Sequence, residues 1–215
     1  MRSNLIAASI AALVPFAGHA QDMVVYSGAE VELLFDPDGA GSGTEASLSS
    51  YVEAERAGFY AGLLAKYVDD TASNEVNLYA GYRRDLDSGL SYGLVYTRYI
   101  YPNDSASNYG ELGLSLGQTL GEKAALSFDA YYDHDNKLGS AYVGAEFYAT
   151  DKITLSANYG TYEVDAAPSE QEWDVGASYA FTDEAAVDLR YYDGSEYTDS
   201  YFGLSVTYDT TIFGG

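Results

Sequence analysis

The chain has 215 residues, 47% of them hydrophobic, with 33 acidic against 10 basic side chains and a net charge of −23. That balance excludes a nucleic-acid partner, because phosphate backbones attract basic surfaces. There is no cysteine, which excludes a disulfide scaffold and thiolate chemistry.

The first segment, "MRSNLIAASIAALVPFAGHA", has a basic start at Arg2 and an apolar stretch from Leu5 to Phe16. It ends on Gly18-His19-Ala20. This pattern predicts a secretory signal peptide over 1–20, cleaved after Ala20, with 21–215 as one domain. No later segment approaches the ~20 continuous apolar residues of a membrane-spanning helix. Barrel strands need only ~9–11 alternating residues each, so a spanning barrel remains open.

Alternating segments and turns follow one another from residue 24 onward, with no helical stripe. The periodicity predicts about twelve strands, over 24–35, 44–54, 58–68, 74–84, 89–101, 108–119, 124–133, 140–149, 152–162, 170–181, 185–193 and 199–209. The odd-numbered connections are polar and mostly the longer set: "DPDGAGSG" (36–43), "DDTAS" (69–73), "PNDSASN" (102–108), "DHDNKLG" (133–139), "EVDAAPS" (163–169) and "DGSEYTD" (193–199). The even-numbered ones are short, as in "RAG" (56–58) and "TD" (150–151). Short turns at one end and long loops at the other are the outer-membrane pattern, with both termini on the short-turn side.

Several strands carry an unbroken apolar set opposite a polar one. Leu112, Leu114 and Leu116 oppose Glu111, Gly113, Ser115 and Gly117; Leu126, Phe128, Ala130 and Tyr132 oppose Ser127, Asp129, Tyr131 and Asp133. In a soluble sandwich the apolar set lies inside; in a membrane barrel it faces lipid. Small residues such as Ala141, Ala145 and Ala177 on the apolar face, and aromatics near strand ends, favour lipid. Gly, Ser and Tyr among the acids on the other face point the same way. The predicted class is therefore all-β, an antiparallel up-and-down transmembrane β-barrel.

The stretches "GFYAG" (58–62), "EVNLYAGY" (75–82), "YTRYIYP" (96–102) and "NYGELGLSLG" (108–117) resemble, in order and spacing, a bacterial outer-membrane family. These are the TorF-type porins, also known as the Gcw_chp family of unknown function. The resemblance runs from about Gly58 to Tyr208. It implies a signal-peptide-bearing barrel in the outer membrane of Gram-negative bacteria, with a pore role and no catalytic residues. The chain departs from the family in "VVYSGAEVELLFDPDG", which lacks the arginine of the family's opening strand. Phe202, Leu204, Val206 and Tyr208 are in phase as a terminal barrel-assembly pattern. Phe213 is out of phase, which places the end of that pattern at Tyr208.

On the polar face the lumen is expected to receive Glu75, Asn77, Glu111, Asp129, Asp133, Glu146, Glu172, Asp174 and Asp188, with tyrosines 131, 142, 148, 162 and 192. Arg190 is the basic counterweight, and Arg98 is expected as a second near the outer rim. Carboxylate-lined pores favour cations, and crowded carboxylates lose that preference in acid. The alternative is that these acids only bond tyrosines and arginines and fill the barrel.

His134 is the sole histidine after residue 20. Hydrolysis would need a nucleophile and an orienting group beside it, and no H-E-x-x-H or glycine-rich phosphate motif is present; the two G-x-S-x-G matches, Gly89–Gly93 and Gly113–Gly117, lie within alternating strand segments. A surface histidine at a loop mouth is expected, with no catalytic residue, no resident metal and no cofactor. "DHDNKLG" places Lys137 where a calcium loop needs an oxygen ligand.

The expected function is a passive outer-membrane pore, monomeric or oligomeric, for small cationic or neutral solutes, with membrane lipid and those solutes as partners. The alternatives are a non-conducting structural or surface-binding barrel, and a secreted soluble β-domain binding an apolar ligand.

Overall fold

The computed structural model describes residues 23–35, 44–68, 74–165, 168–195 and 200–214. Twelve strands form one closed antiparallel barrel: β1 (Val24–Phe35), β2 (Glu45–Arg56), β3 (Phe59–Val68), β4 (Glu75–Asp85), β5 (Leu90–Ile100), β6 (Tyr109–Leu120), β7 (Ala124–Asp133), β8 (Leu138–Thr150), β9 (Ile153–Tyr162), β10 (Glu170–Ala180), β11 (Ala185–Gly194) and β12 (Tyr201–Phe213). Each strand pairs with its neighbours in sequence, and β1 pairs with β12 to close the cylinder. Strands β1 and β7 match the expected spans, and most others differ by one or two residues. The proposed signal segment (1–20) and the loops 36–43 and 69–73 lie outside the described residues.

The alternation of side chains is the reason for closure. A two-residue period puts one set of each strand on each face, and a cylinder gives the two faces different surroundings. Outside, Leu112 is 53% exposed and Val143 51%, in rows shared by Leu63, Leu94, Val175 and Leu189. Inside, the buried groups are polar: Ser47, Glu53, Asn77, Glu111 and Asp133. Val68 and Tyr101 are the buried apolar residues among those described. A water-soluble fold reverses this distribution; a barrel in hydrocarbon requires it. Large aromatics ring both ends of the apolar surface. Phe59, Phe147 and Phe181 stand at the short-turn end, and Tyr67, Tyr132 and Trp173 at the long-loop end.

The short turns use the backbone conformations that twisted hairpins demand. Between β2 and β3, Ala57 (φ 54°) and Gly58 (φ 84°) are both left-handed, as a two-residue type I′ connection requires. Glycine takes this conformation freely, whereas Ala57 carries a steric cost.

The last strand runs further than its sequence pattern suggests, so the expected span of 199–209 is corrected to Tyr201–Phe213. Tyr26 pairs with Thr211 and Val25 with Phe213, and the register shifts between them. Ile212 is the extra residue. A one-residue bulge of this kind re-phases a strand and brings Phe213 opposite Val25 despite its odd spacing.

Candidate functional site: the barrel interior

The interior polar groups fall into three sets along the barrel. At the short-turn end, Arg83 of β4 reaches over β3 to β2. Its Nη2 lies 2.6 Å from Glu53 Oε1, and it also pairs with Glu55. The same guanidinium sits 4.6 Å from the centre of the Tyr60 ring, within cation–π range. The planar fork of arginine suits several acceptors at once.

In the middle of β9–β11, Arg190 donates to Asp174, to Asp188 Oδ1 at 3.2 Å and to Ser156 Oγ at 2.8 Å. Asn158 Nδ2 donates to Asp174 at 2.9 Å, and Ser178 Oγ to Asp188 at 2.6 Å. Gly176 makes room for this knot: a Cβ there would stand 2.7 Å from Arg190 Cζ.

At the long-loop end, Asn77 Nδ2 donates to Glu75 Oε1 at 2.9 Å, and the Tyr99 hydroxyl to Glu111 Oε1 at 3.3 Å. Tyr99 and Tyr109 stack with ring centres 4.5 Å apart. Asn77 and Glu111 are 8% and 7% exposed.

The remaining expected residues occupy the same inward face. Asp129 lies opposite Ser115 and Tyr142 in the ladders, and Glu172 opposite Gly160 and Gly194. Glu146 accepts from the Tyr148 hydroxyl at 2.9 Å. Asp133 has a different employment. Its oxygens accept from the Asp135 and Asn136 backbone N–H groups and from the Asn136 side chain at 2.6–3.0 Å. It fastens the following loop, as aspartates do in Asx-turns.

Arg98 is corrected. It was expected inside, but β5 pairs it with Leu78 and Gly110, on the outward face that Leu78 and Leu94 share. Its Nη1 donates to Asp135 Oδ2 at 2.6 Å, and that bond holds the Asp135 carboxyl below its ordinary range. The reason for the misreading is local: apolar Val95 points inward, so the apolar alternation of β5 is blurred. His134 packs on outward-facing Tyr96, with ring centres 5.8 Å apart, and its Nδ1 lies 3.1 Å from Asp135 Oδ1. This is an external rim contact between loop and strand. Among the described residues, no group of three His, Asp or Glu side chains converges to hold a metal ion.

Sequence reasoning passed over Arg83, Glu53, Glu55, Glu30, Glu32 and Lys66, all inward. Lys66 Nζ lies 3.9 Å from Glu32 Oε2. The parity of β4 could have found Arg83, since it alternates with Glu75, Asn77 and Gly81.

A family model described as "Bacterial protein of unknown function (Gcw_chp)" matches residues 45–212. The chain belongs to the Gcw_chp family. No curated protein matches it. Among solved structures, the barrel is similar to the KdgM porin (TM-score 0.66, 13% identity, 84% of this chain and 98% of that one). It is also similar to the NanC porin (0.63, 10%, 85% and 98%). A third is the COG4313 outer membrane channel from Pseudomonas putida F1 (0.54, 13%, 91% and 97%). At these identities the likeness shows a shared barrel fold.

Proposed function

We propose that this Gcw_chp protein is an outer-membrane porin that passes small cationic or neutral solutes passively through an acidic lumen. It is exported by residues 1–20 and spans the membrane with the 21–215 barrel domain, within the TorF-type group. The observation that carries the reading is the inverted surface: apolar rows outside, and inward Glu75, Glu111, Asp129, Glu146 and Glu172 outnumbering the inward bases. Carboxylates close to a permeating ion attract cations by direct Coulomb interaction. The fold likeness to porins supports a conducting role. One KdgM structure is of a complex with oligogalacturonate, an anionic saccharide. The acidic interior here argues for solutes of the opposite sign.

Planar-bilayer recording in a salt gradient tests the proposal. A reversal potential of cation-selective sign is expected, and Asp129→Asn should reduce it. Silent membranes, or anion selectivity, would sink the idea.

A second reading has its own observation. Arg83 and Arg190 each tie several acids, and Tyr60, Tyr79, Tyr131 and Tyr142 project inward over glycines of adjacent strands. A barrel filled this way would be a non-conducting structural or surface-binding barrel, and it would give no current in the same recording.

A further inference from the structure

Several inward glycines of this barrel seat a tyrosine. A Cβ at Gly62 would stand 2.4 Å from Tyr79 Cζ, one at Gly81 2.6 Å from Tyr60 Cζ, and one at Gly160 2.1 Å from the Tyr142 ring. Gly93 of β5 is different. A Cβ there would meet Arg83 Cβ and the Tyr82 carbonyl oxygen at 3.7 Å and Ser115 Cβ at 4.0 Å. These are ordinary contacts with neighbours in the sheet, and no ring or side-chain tip comes closer.

The ladder shows why the position is bare. On one side Gly93 pairs with Arg83, a side chain long enough to cover it. The guanidinium instead turns away over β3 to Glu53 and Glu55 of β2, with the Tyr60 ring 4.6 Å from it. On the other side Gly93 pairs with Ser115, and Ser115 with Asp129. Among the described residues, no ion pair engages Asp129. Arg83 and Asp129 are three strand spacings, or about 14 Å, apart along the sheet. Between them the inner wall carries a hydrogen atom and a hydroxymethyl group. The gap is local: one row nearer the long loops, Val95 and Tyr131 close over Gly113, at 2.7 and 3.0 Å from a Cβ placed there. An uncovered glycine weakens its strand, and an empty void would forfeit packing contacts. Water and solute in transit are the occupants that suit such a wall.

We propose that the permeation path is eccentric: it runs along the β5–β6 wall past Gly93 and Ser115, with Asp129 on its margin. Side-chain volume at position 93 then sets the largest solute that passes. The clamp on Glu53 and Glu55 holds the Arg83 guanidinium out of this path. The inference rests on the porin reading above and names its size-determining residue.

The chain has no cysteine, so one introduced thiol reports on one position. Full-length barrels are refolded in detergent, checked by heat-modifiable gel mobility and recorded in bilayers before and after a cationic methanethiosulfonate reagent. Gly93→Cys should lose potassium current in steps as the reagent reacts. The parent barrel and Leu94→Cys, at a lipid-facing position 59% exposed, should lose none. In liposome swelling, Gly93→Trp should slow a pentose more than it slows glycerol. Gly93→Ala should fold with an unchanged or higher urea midpoint, because its methyl group meets no obstacle. Glu53→Gln with Glu55→Gln frees Arg83 to fall back over Gly93 and should lower conductance, and adding Arg83→Ala should restore it. Current in Gly93→Cys unmoved by the reagent, or a pentose and glycerol slowed alike by Gly93→Trp, overturns the eccentric path and leaves the porin reading standing. Conductance that Arg83→Ala does not restore overturns the clamp. A silent parent barrel overturns the path and the porin reading together.

Discussion

Arg83 and Glu53 are joined across an intervening strand, with Nη2 and Oε1 2.6 Å apart. The bond leaves β4, passes the inner face of β3 and ends on β2. Backbone ladders tie only adjacent strands; this bond ties second neighbours at the short-turn end. Removing Arg83 leaves Glu53 and Glu55 without their cation. Arg83→Ala is therefore expected to lower unfolding stability in urea by about 2 kcal/mol and to raise cation over anion permeability. A shift toward anions would show that these acids do not face the permeation path.

The lipid surface offers a sharper test of membrane residence. Leu114 lies in mid-strand on β6 and faces outward. Leu114→Arg is expected to cost about 2–4 kcal/mol, the depth-dependent penalty for arginine near a bilayer midplane. Folding titrations in lipid vesicles measure it. A cost near zero would mean that this face meets water.

Ala57 is a residue in the wrong conformation for its side chain, at φ 54°. Asparagine tolerates left-handed backbone and completes the Asn-Gly sequence preferred in type I′ turns. Ala57→Asn should stabilise the barrel by about 1 kcal/mol, read as a higher urea midpoint with unchanged slope.

The interior knot around Arg190 depends on the bare backbone at Gly176. A methyl group there meets the guanidinium. Gly176→Ala is expected to displace Arg190 from Asp174 and Asp188 and to destabilise the barrel by about 1–3 kcal/mol. The double variant with Arg190→Ala should lose less than the sum of the single ones, since both act on the same contact.

The loop after β7 carries a pH response. Arg98 lowers the Asp135 carboxyl below its ordinary value of 3.8. A depressed carboxylate contributes stability above its unfolded value and loses it as pH falls through the folded one. Loop 134–137 should therefore stay fastened down to pH 4 and loosen at more acid pH. Arg98→Gln should move the loosening to higher pH, and limited proteolysis of the loop at graded pH measures both.

Much of this architecture is legible in the alternation itself. "LSFDAYYD" in β7 has one apolar parity and one polar, so its span and both faces can be read directly, and Asp129 takes the inward side. Position two strands away cannot be read this way. Nothing in the residues around Arg83 states that Glu53 lies across β3, because curvature and stagger belong to the closed cylinder. Strand ends are ambiguous for a related reason. Asp133 has the inward parity, but at a strand terminus free N–H groups compete for its oxygens, and the loop takes them. Arg98 shares the outward parity of Leu94, Tyr96 and Ile100, and it is apolar Val95 on the inward side that blurs the contrast between the faces of β5.

The pairing of Val25 with Phe213 joins the two ends of the chain. Until that seam forms, β1 and β12 are open edges, each able to recruit a strand from another molecule. The ladder of longest range among the described residues, β1 with β12, is thus the one that makes the cylinder, and topology of this kind folds slowly. The bulge at Ile212 sits at the very end of the seam, beyond ten pairs that run unbroken from Tyr26–Thr211 to Phe35–Phe202. Those ten hold the phase of closure by themselves, so deleting Ile212 would re-place Phe213 alone and leave the lipid-facing rows where they are.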